Sequence, residues 1–192
     1  MTKRTLIVVG HHNPDSYTNA LATAYARGAE AVGAEVRRLN LYEMDFDPVA
    51  RPDSLSSSSS TQPLEPDLQR AQRDLEWAEH VVFAYPKWWG GMPALMKGFI
   101  DRVLQEGYAY EYGPSREWIP RLEGRSAHLL ITVGVPQPQN GLPPGDLSVK
   151  GALESIGITP VRVTHYGPIS KPADPCYDGW LQEAHGQGEL LM

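Results

Sequence analysis

Val82-Phe83-Ala84-Tyr85-Pro86-Lys87-Trp88-Trp89-Gly90-Gly91-Met92-Pro93-Ala94-Leu95-Met96-Lys97-Gly98-Phe99-Ile100-Asp101-Arg102-Val103 decides the fold. An apolar run of the doubly buried kind ends at a proline. Two tryptophans and two glycines follow, and a helix then opens with Pro93 near its first turn. Such a junction sets a flat aromatic surface and backbone N–H groups at the carboxyl end of a strand. Open α/β sheets bind flat, phosphate-bearing ligands at that place.

The pattern repeats on both sides of this stretch. Residues 5–9 form a compact β-branched and apolar run, read as a buried strand. Ser16 is placed to cap a helix that runs through Leu21 and Tyr25 to Gly33. Residues 35–39 are a second strand, 80–85 a third, 127–133 a fourth and 159–166 a fifth. Helices are expected over 66–78, 93–105, 147–156 and 174–184, and residues 107–113 form an aromatic loop or short hairpin. Residues 40 to about 66 are an irregular connector whose serine run, 56–60, reads as a solvated, mobile loop. Strands that alternate with helices, several of them continuously apolar, call for a parallel sheet covered on both faces. Right-handed crossovers then favour strand order 2-1-3-4-5, with the ligand site beyond the first and third strands.

Composition narrows the function. The 192 residues suffice for one domain with a full core, and 41% hydrophobic with 21% charged residues is ordinary for a soluble protein. No apolar run is long enough to span a bilayer. The basic and apolar start lacks a signal-peptide cleavage site, because His11-His12-Asn13-Pro14-Asp15 follows the short run. The net charge of −6 and the lack of a basic cluster argue against nucleic acid as main partner. One cysteine, Cys176, excludes an intrachain disulfide and suits a reducing cytoplasm. Adjacent His11 and His12 have no companion ligands at metal spacing, so no metal is expected. His80, His128 and His165 lie in strands and read as hydrogen-bonded core histidines.

The first loop, from Gly10 to Thr18, joins strand to helix. Ser16 and Thr18 offer hydroxyls, and the helix start offers orphan N–H donors: a phosphate site, or a plain cap. No Gly-x-Gly-x-x-Gly or Walker sequence occurs there. Trp88 and Trp89 lie outside the strand, between Pro86 and Gly90-Gly91, where a planar ring can approach the backbone. The loop after the fourth strand, from Thr132 to Pro136, reaches the same region from the far side.

Four segments carry a family likeness: His11 through Ser16-Tyr17-Thr18; Asp45-Phe46-Asp47-Pro48; Pro86 through Arg102-Val103; and Gly107-Tyr108-Ala109-Tyr110. The likeness extends over nearly the whole chain. On them the chain resembles the flavodoxin-like NAD(P)H:quinone oxidoreductases, which include modulator-of-drug-activity proteins and ancillary subunits of potassium-efflux systems. The resemblance implies a single flavodoxin-like domain over residues 1–192, a three-layer α/β sandwich around the five-stranded sheet. It implies FMN or FAD as cofactor, with hydride passing from NAD(P)H to the flavin and on to a quinone or similar small acceptor by ping-pong turnover. By position, His11, Ser16, Tyr17 and Thr18 look like phosphate-side contacts, and Pro86, Lys87, Trp88, Trp89 and Gly90 like ring contacts. Thr132 and Gly134 look like the opposite side of the ring. The family's homodimers place each site at the interface, so Tyr110 and Tyr112 would line a partner's acceptor pocket. Two departures stand out: Gly90 replaces an aromatic seen in some relatives, and residues 133–140 differ from the usual loop. Two other readings remain from the sequence: a flavin-binding regulatory subunit of a cation-efflux system, and a flavodoxin-type electron carrier.

Overall fold

The computed structural model describes residues 3–51, 64–136, 141–169 and 176–191. The serine run at 56–60 lies outside them. The main sheet has five parallel strands in spatial order β2-β1-β3-β6-β7, formed by β1 (Arg4–Val9), β2 (Glu35–Asn40), β3 (His80–Pro86), β6 (Arg125–Thr132) and β7 (Ile158–Tyr166). In terms of the sheet's own strands this is the expected 2-1-3-4-5 order. The two remaining strands, β4 (Tyr110–Tyr112) and β5 (Trp118–Pro120), pair antiparallel as a separate hairpin. The sequence leaves loop and hairpin open for residues 107–113 and has no signal for β5, a three-residue strand ending in proline.

The apolar runs are continuous because both faces are covered. Leu6 and Val8, Val81 and Phe83, and Leu129 and Ile131 enter one core, under α2 (Pro66–Trp77), α3 (Ala94–Val103) and α4 (Pro144–Ser155). Their neighbours Ile7 and Val9, Val82 and Ala84, and Leu130 enter the other, under α1 (Tyr17–Ala31) and α5 (Cys176–Leu190). Alternation along each strand thus feeds two cores rather than one core and solvent. Ser16 caps α1 as expected, its Oγ accepting the Asn19 N–H at 3.3 Å. Helix α5 runs six residues beyond the expected end at residue 184. Its Gly188 lies so close to α1 that a Cβ would stand 2.1 Å from the Tyr25 carbonyl oxygen. Glycines that weaken a helix in isolation here permit the packing that holds it.

His80 is fully buried at the start of β3. Its Nε2 lies 2.8 Å from the Tyr25 hydroxyl and its Nδ1 2.8 Å from Ser126 Oγ. Burial first, then the charges of Lys3, His128 and Arg162, push its pKa from 6.5 to about 3. Between those values the unfolded chain binds a proton that the folded chain refuses. The stability from the neutral ring is therefore complete above pH 6.5 and is lost as pH falls towards 3, by up to about 1.4 kcal/mol per pH unit. Urea unfolding followed from neutral pH into the acid range should show this slope, and His80→Gln should flatten it. An unchanged slope would assign the acid sensitivity to other groups.

Candidate functional site

At the carboxyl edge of the sheet, four loops line a cleft of about 290 Å³. Its walls are His11, Tyr17 and Thr18 from the first loop and α1; Pro86, Lys87 and Trp88 from the turn after β3; and Thr132, Val133, Gly134 and Ile169 from the exits of β6 and β7. Eight of the sequence-derived candidates therefore meet in one place. The sheet brings them there because parallel strands all release their loops at the same edge.

The turn after β3 is built by two features. The Lys87 N–H donates to the Thr132 carbonyl at 2.8 Å and so extends the ladder by one bond past Pro86. Trp88 and Gly91 then exchange backbone hydrogen bonds at 2.9 and 3.0 Å, closing a two-residue turn. Trp89 and Gly90 form its tip with φ of 52° and 82°, the paired left-handed conformation of a type I′ turn. A tryptophan in that conformation is strained. Its indole is fully exposed, whereas Trp88 is 41% exposed and lies against the rings of His11 and His12 at 6.1 and 5.8 Å. Neither tryptophan belongs to the core. The N–H groups of Lys87, Trp88 and Gly91 are committed within the sheet and turn. That leaves the tip, Trp89 and Gly90, to offer the backbone donors that the sequence assigns to this loop.

The first loop divides its candidates. The N–H groups of Tyr17 and Thr18 open α1 and precede its first internal partners, so they remain donors at the positive end of the helix. The Thr18 hydroxyl lies 2.8 Å from that of Thr132, a buried pair on the floor of the cleft. His11 is held below the usual histidine range, chiefly by burial and then by His12. Its Nδ1 accepts the Asn13 N–H at 3.0 Å, which leaves Nε2 as the hydrogen-bearing nitrogen of the neutral ring. The Tyr17 hydroxyl donates to the Tyr177 carbonyl at 2.7 Å, and its ring stacks on Tyr177 at 4.4 Å. Ser16 is used as the cap and lines a second groove, on the outer side of α1, rather than the cleft.

Four further candidates lie outside the cleft lining. Trp89 and Gly90 stand at its rim. Tyr110 and Tyr112 lie on the hairpin, which follows the descending α3 and precedes β6, so it sits towards the amino end of the sheet. There Trp118 donates from Nε1 to the Ser155 carbonyl at the end of α4, at 2.6 Å. Tyr110 stacks on Trp118 at 3.8 Å, and Tyr112 and Trp118 are 49% and 42% exposed. One feature has no local sequence signal. Lys87 reaches back from the cleft to Asp146 in the first turn of α4 and to His165 near the end of β7. The same helix start rests on the turn, because a Cβ on Gly145 would stand 1.9 Å from the Gly90 carbonyl oxygen.

Such a cleft fits a flat, phosphate-bearing group. Helix donors and hydroxyls stand on one side and an aromatic turn on the other. No side chain fills the space where a Cβ on Gly90, Gly91 or Gly134 would stand. No helix among the described residues is long and apolar enough to cross a membrane.

The chain is similar to known proteins. Residues 3–184 match the family described as having a flavodoxin-like fold. The NAD(P)H dehydrogenase (quinone) 1 of Rattus norvegicus is 31% identical over 148 residues, 69% of this chain and 54% of the relative. An uncharacterized NAD(P)H oxidoreductase of Haemophilus influenzae is 31% identical over 130 residues, 67% of this chain and 63% of the relative. The chain thus spans little more than half the length of these relatives. A solved protein of Streptococcus mutans UA159 superposes with a TM-score of 0.82 at 28% identity, covering 97% of this chain and 99% of that one.

Two alanine substitutions in α4 test its contact with the turn. Gly145→Ala should destabilise the protein by about 1–3 kcal/mol, since a backbone atom must move. Gly151→Ala, which meets nothing within 4 Å, should stabilise it by up to about 1 kcal/mol through helix propensity. Urea unfolding of both variants should give opposite signs. Equal effects would mean that α4 does not bear on the turn.

Proposed function

The chain belongs to the flavodoxin-like fold family, and from that premise we propose that it is an NAD(P)H-dependent flavoprotein oxidoreductase that reduces a quinone or similar small acceptor. The observation that carries this reading is the joining, in one cleft, of a free helix start and an aromatic turn. Either alone is common; together at the carboxyl edge of a parallel sheet they suit a phosphate and a planar ring on one ligand. The names of the rat and Haemophilus relatives supply the nicotinamide donor and the quinone. A bound flavin, FMN or FAD, supplies two-electron transfer between donor and acceptor, chemistry that no side chain here provides.

The protein's part is to bind, orient and exclude water. The Tyr17 and Thr18 N–H groups and the positive end of α1 hold the phosphate. The neutral His11 ring adds an Nε2–H donor. Trp88 flanks the ring, with Thr132 and Gly134 opposite. The N–H groups of Trp89 and Gly90 address its polar edge. The cleft is at the small end of ligand sites, which run from about 300 to 1,000 Å³. A site of that size is completed by something else. We assign that role to a second copy of the chain, whose Tyr110, Tyr112 and Trp118 cluster lies towards the other end of the sheet from its own cleft, with Tyr112 and Trp118 exposed.

The purified protein should bind FMN or FAD, and release by denaturation followed by chromatography should identify which. NADH or NADPH oxidation should then depend on a small quinone. Trp88→Ala should weaken flavin binding about tenfold, the scale of one aromatic contact. A protein that stays colourless after incubation with both flavins would overturn the reading. Binding without NAD(P)H oxidation would convert it to a flavin-binding subunit. In addition, Tyr112→Arg should leave flavin bound, shift the protein towards monomer in sedimentation, and slow quinone reduction. A dimer unaffected by Tyr112→Arg would place the interface elsewhere.

A further inference from the structure

Behind the cleft lies a buried ionic cluster built from three separate elements. Lys87 Nζ, on the turn after β3, stands 2.5 Å from Asp146 Oδ2 and 3.3 Å from His165 Nε2. His165 Nε2, on β7, stands 2.7 Å from the same carboxylate oxygen. The Lys87 and Asp146 side chains are 8% and 1% exposed. Burying such a pair costs about as much in lost hydration as the attraction returns, and apolar residues of similar size serve stability equally well. The cluster therefore calls for a reason other than stability.

Its surroundings supply one. Asp146 lies in the first turn of α4, where the helix end favours a negative charge. Among the described residues the buried Tyr85 hydroxyl has no hydrogen-bond partner, and burial together with the charge of Asp146 pushes its pKa up. Asp146 is thus met by the α4 helix end, by Lys87 and by His165 together. Lys87 also forms part of the cleft wall, between Pro86 and Trp88. A cation fixed there acts on whatever charge develops in the cleft, with little reorganisation and little screening by water.

We propose that Lys87 is the cation that favours the reduced, more negative form of the flavin, and that Asp146 and His165 are positioning residues that hold its ammonium at the cleft wall and moderate its charge. This rests on the flavin reading above. It assigns a side-chain role to Lys87 where resemblance alone implied only ring contact. It also adds two residues that lie 59 and 78 positions away in the chain.

The test compares signs. Binding of oxidised and of dithionite-reduced FMN and FAD is measured anaerobically for the full chain and its variants. Dye-equilibration potentials are recorded alongside. Lys87→Met should weaken the reduced form about tenfold relative to the oxidised form, and Lys87→Arg should restore the ratio. Asp146→Asn should shift the ratio the opposite way, favouring the reduced form, because it removes the neutralising charge. If Asp146→Asn does not fold, Lys87→Met combined with Asp146→Asn removes both charges, and should move the ratio back from the Lys87→Met value towards that of the parent. Shifts of the same sign, or ratios within about twofold of the parent, in variants that still bind oxidised flavin would overturn the proposal while leaving the flavin reading intact. A parent protein that binds no flavin would overturn the reading beneath it.

Discussion

Strand β3 constrains everything else. It lies between β1 and β6, with a helical layer on each face, and all seven of its residues are buried. A chain in that position must spend its backbone groups on its neighbours and can leave only at the sheet edge. Pro86 ends the strand without a donor, and the Lys87 N–H makes the last bond, to Thr132. The same bond that closes the β3–β6 ladder therefore fixes the root of the aromatic turn. Thr132 in turn faces Thr18 across the cleft floor. The three walls of the cleft are thus set by the ladder and not by loop packing alone.

That dependence explains which features were legible in the sequence. The runs at residues 5–9 and 80–85 announce doubly buried strands because both of their faces must be apolar. Ser16 announces the start of α1 because an orphan N–H needs an acceptor close in sequence. The turn at Trp88–Gly91 shows itself through its glycines and its place after Pro86. Each of these signals is local, and each was visible. The features that stayed hidden are long-range. Gly28 and Gly188 look like helix weakeners until α1 and α5 are brought together, where a Cβ on either would meet carbonyl oxygen of the other helix at 2.0 and 2.1 Å. Trp118–Pro120 is too short for periodicity to register. Lys87, Asp146 and His165 belong to a turn, a helix start and a strand end, and only the sheet order unites them.

The helical half of the opening stretch, Pro93-Ala94 through Lys97 to Asp101-Arg102-Val103, has a mainly structural explanation. Gly98 and Arg102 lie one helical turn apart on α3 and face the same segment. At Gly98 a Cβ would stand 2.4 Å from that of Pro48, so the connector after β2 rests directly on the helix. Arg102, 4% exposed, donates to the Asp47 carbonyl and pairs with Glu65 at 2.6 Å. Lys97 and Asp101, by contrast, pair with one another towards solvent, where such pairs contribute little. The motif therefore records how α3 is clamped between connector and sheet, with its N-terminus held below the aromatic turn.

This has a consequence for acceptor choice. Gly98 and Arg102 face the connector and not the cleft, so likeness over this half speaks for the architecture around the cleft and says little about what enters it. Under the proposed function, discrimination among acceptors would come from groups at the cleft mouth. In this chain those are Trp89, held open in a strained conformation, and, in the proposed dimer, the hairpin cluster of the second copy. Nothing stands within 4 Å of where a Cβ on Gly90 would lie, so the mouth is open on that side. Acceptor range should accordingly follow substitutions at positions 89 and 90 more closely than any change along the buried face of α3.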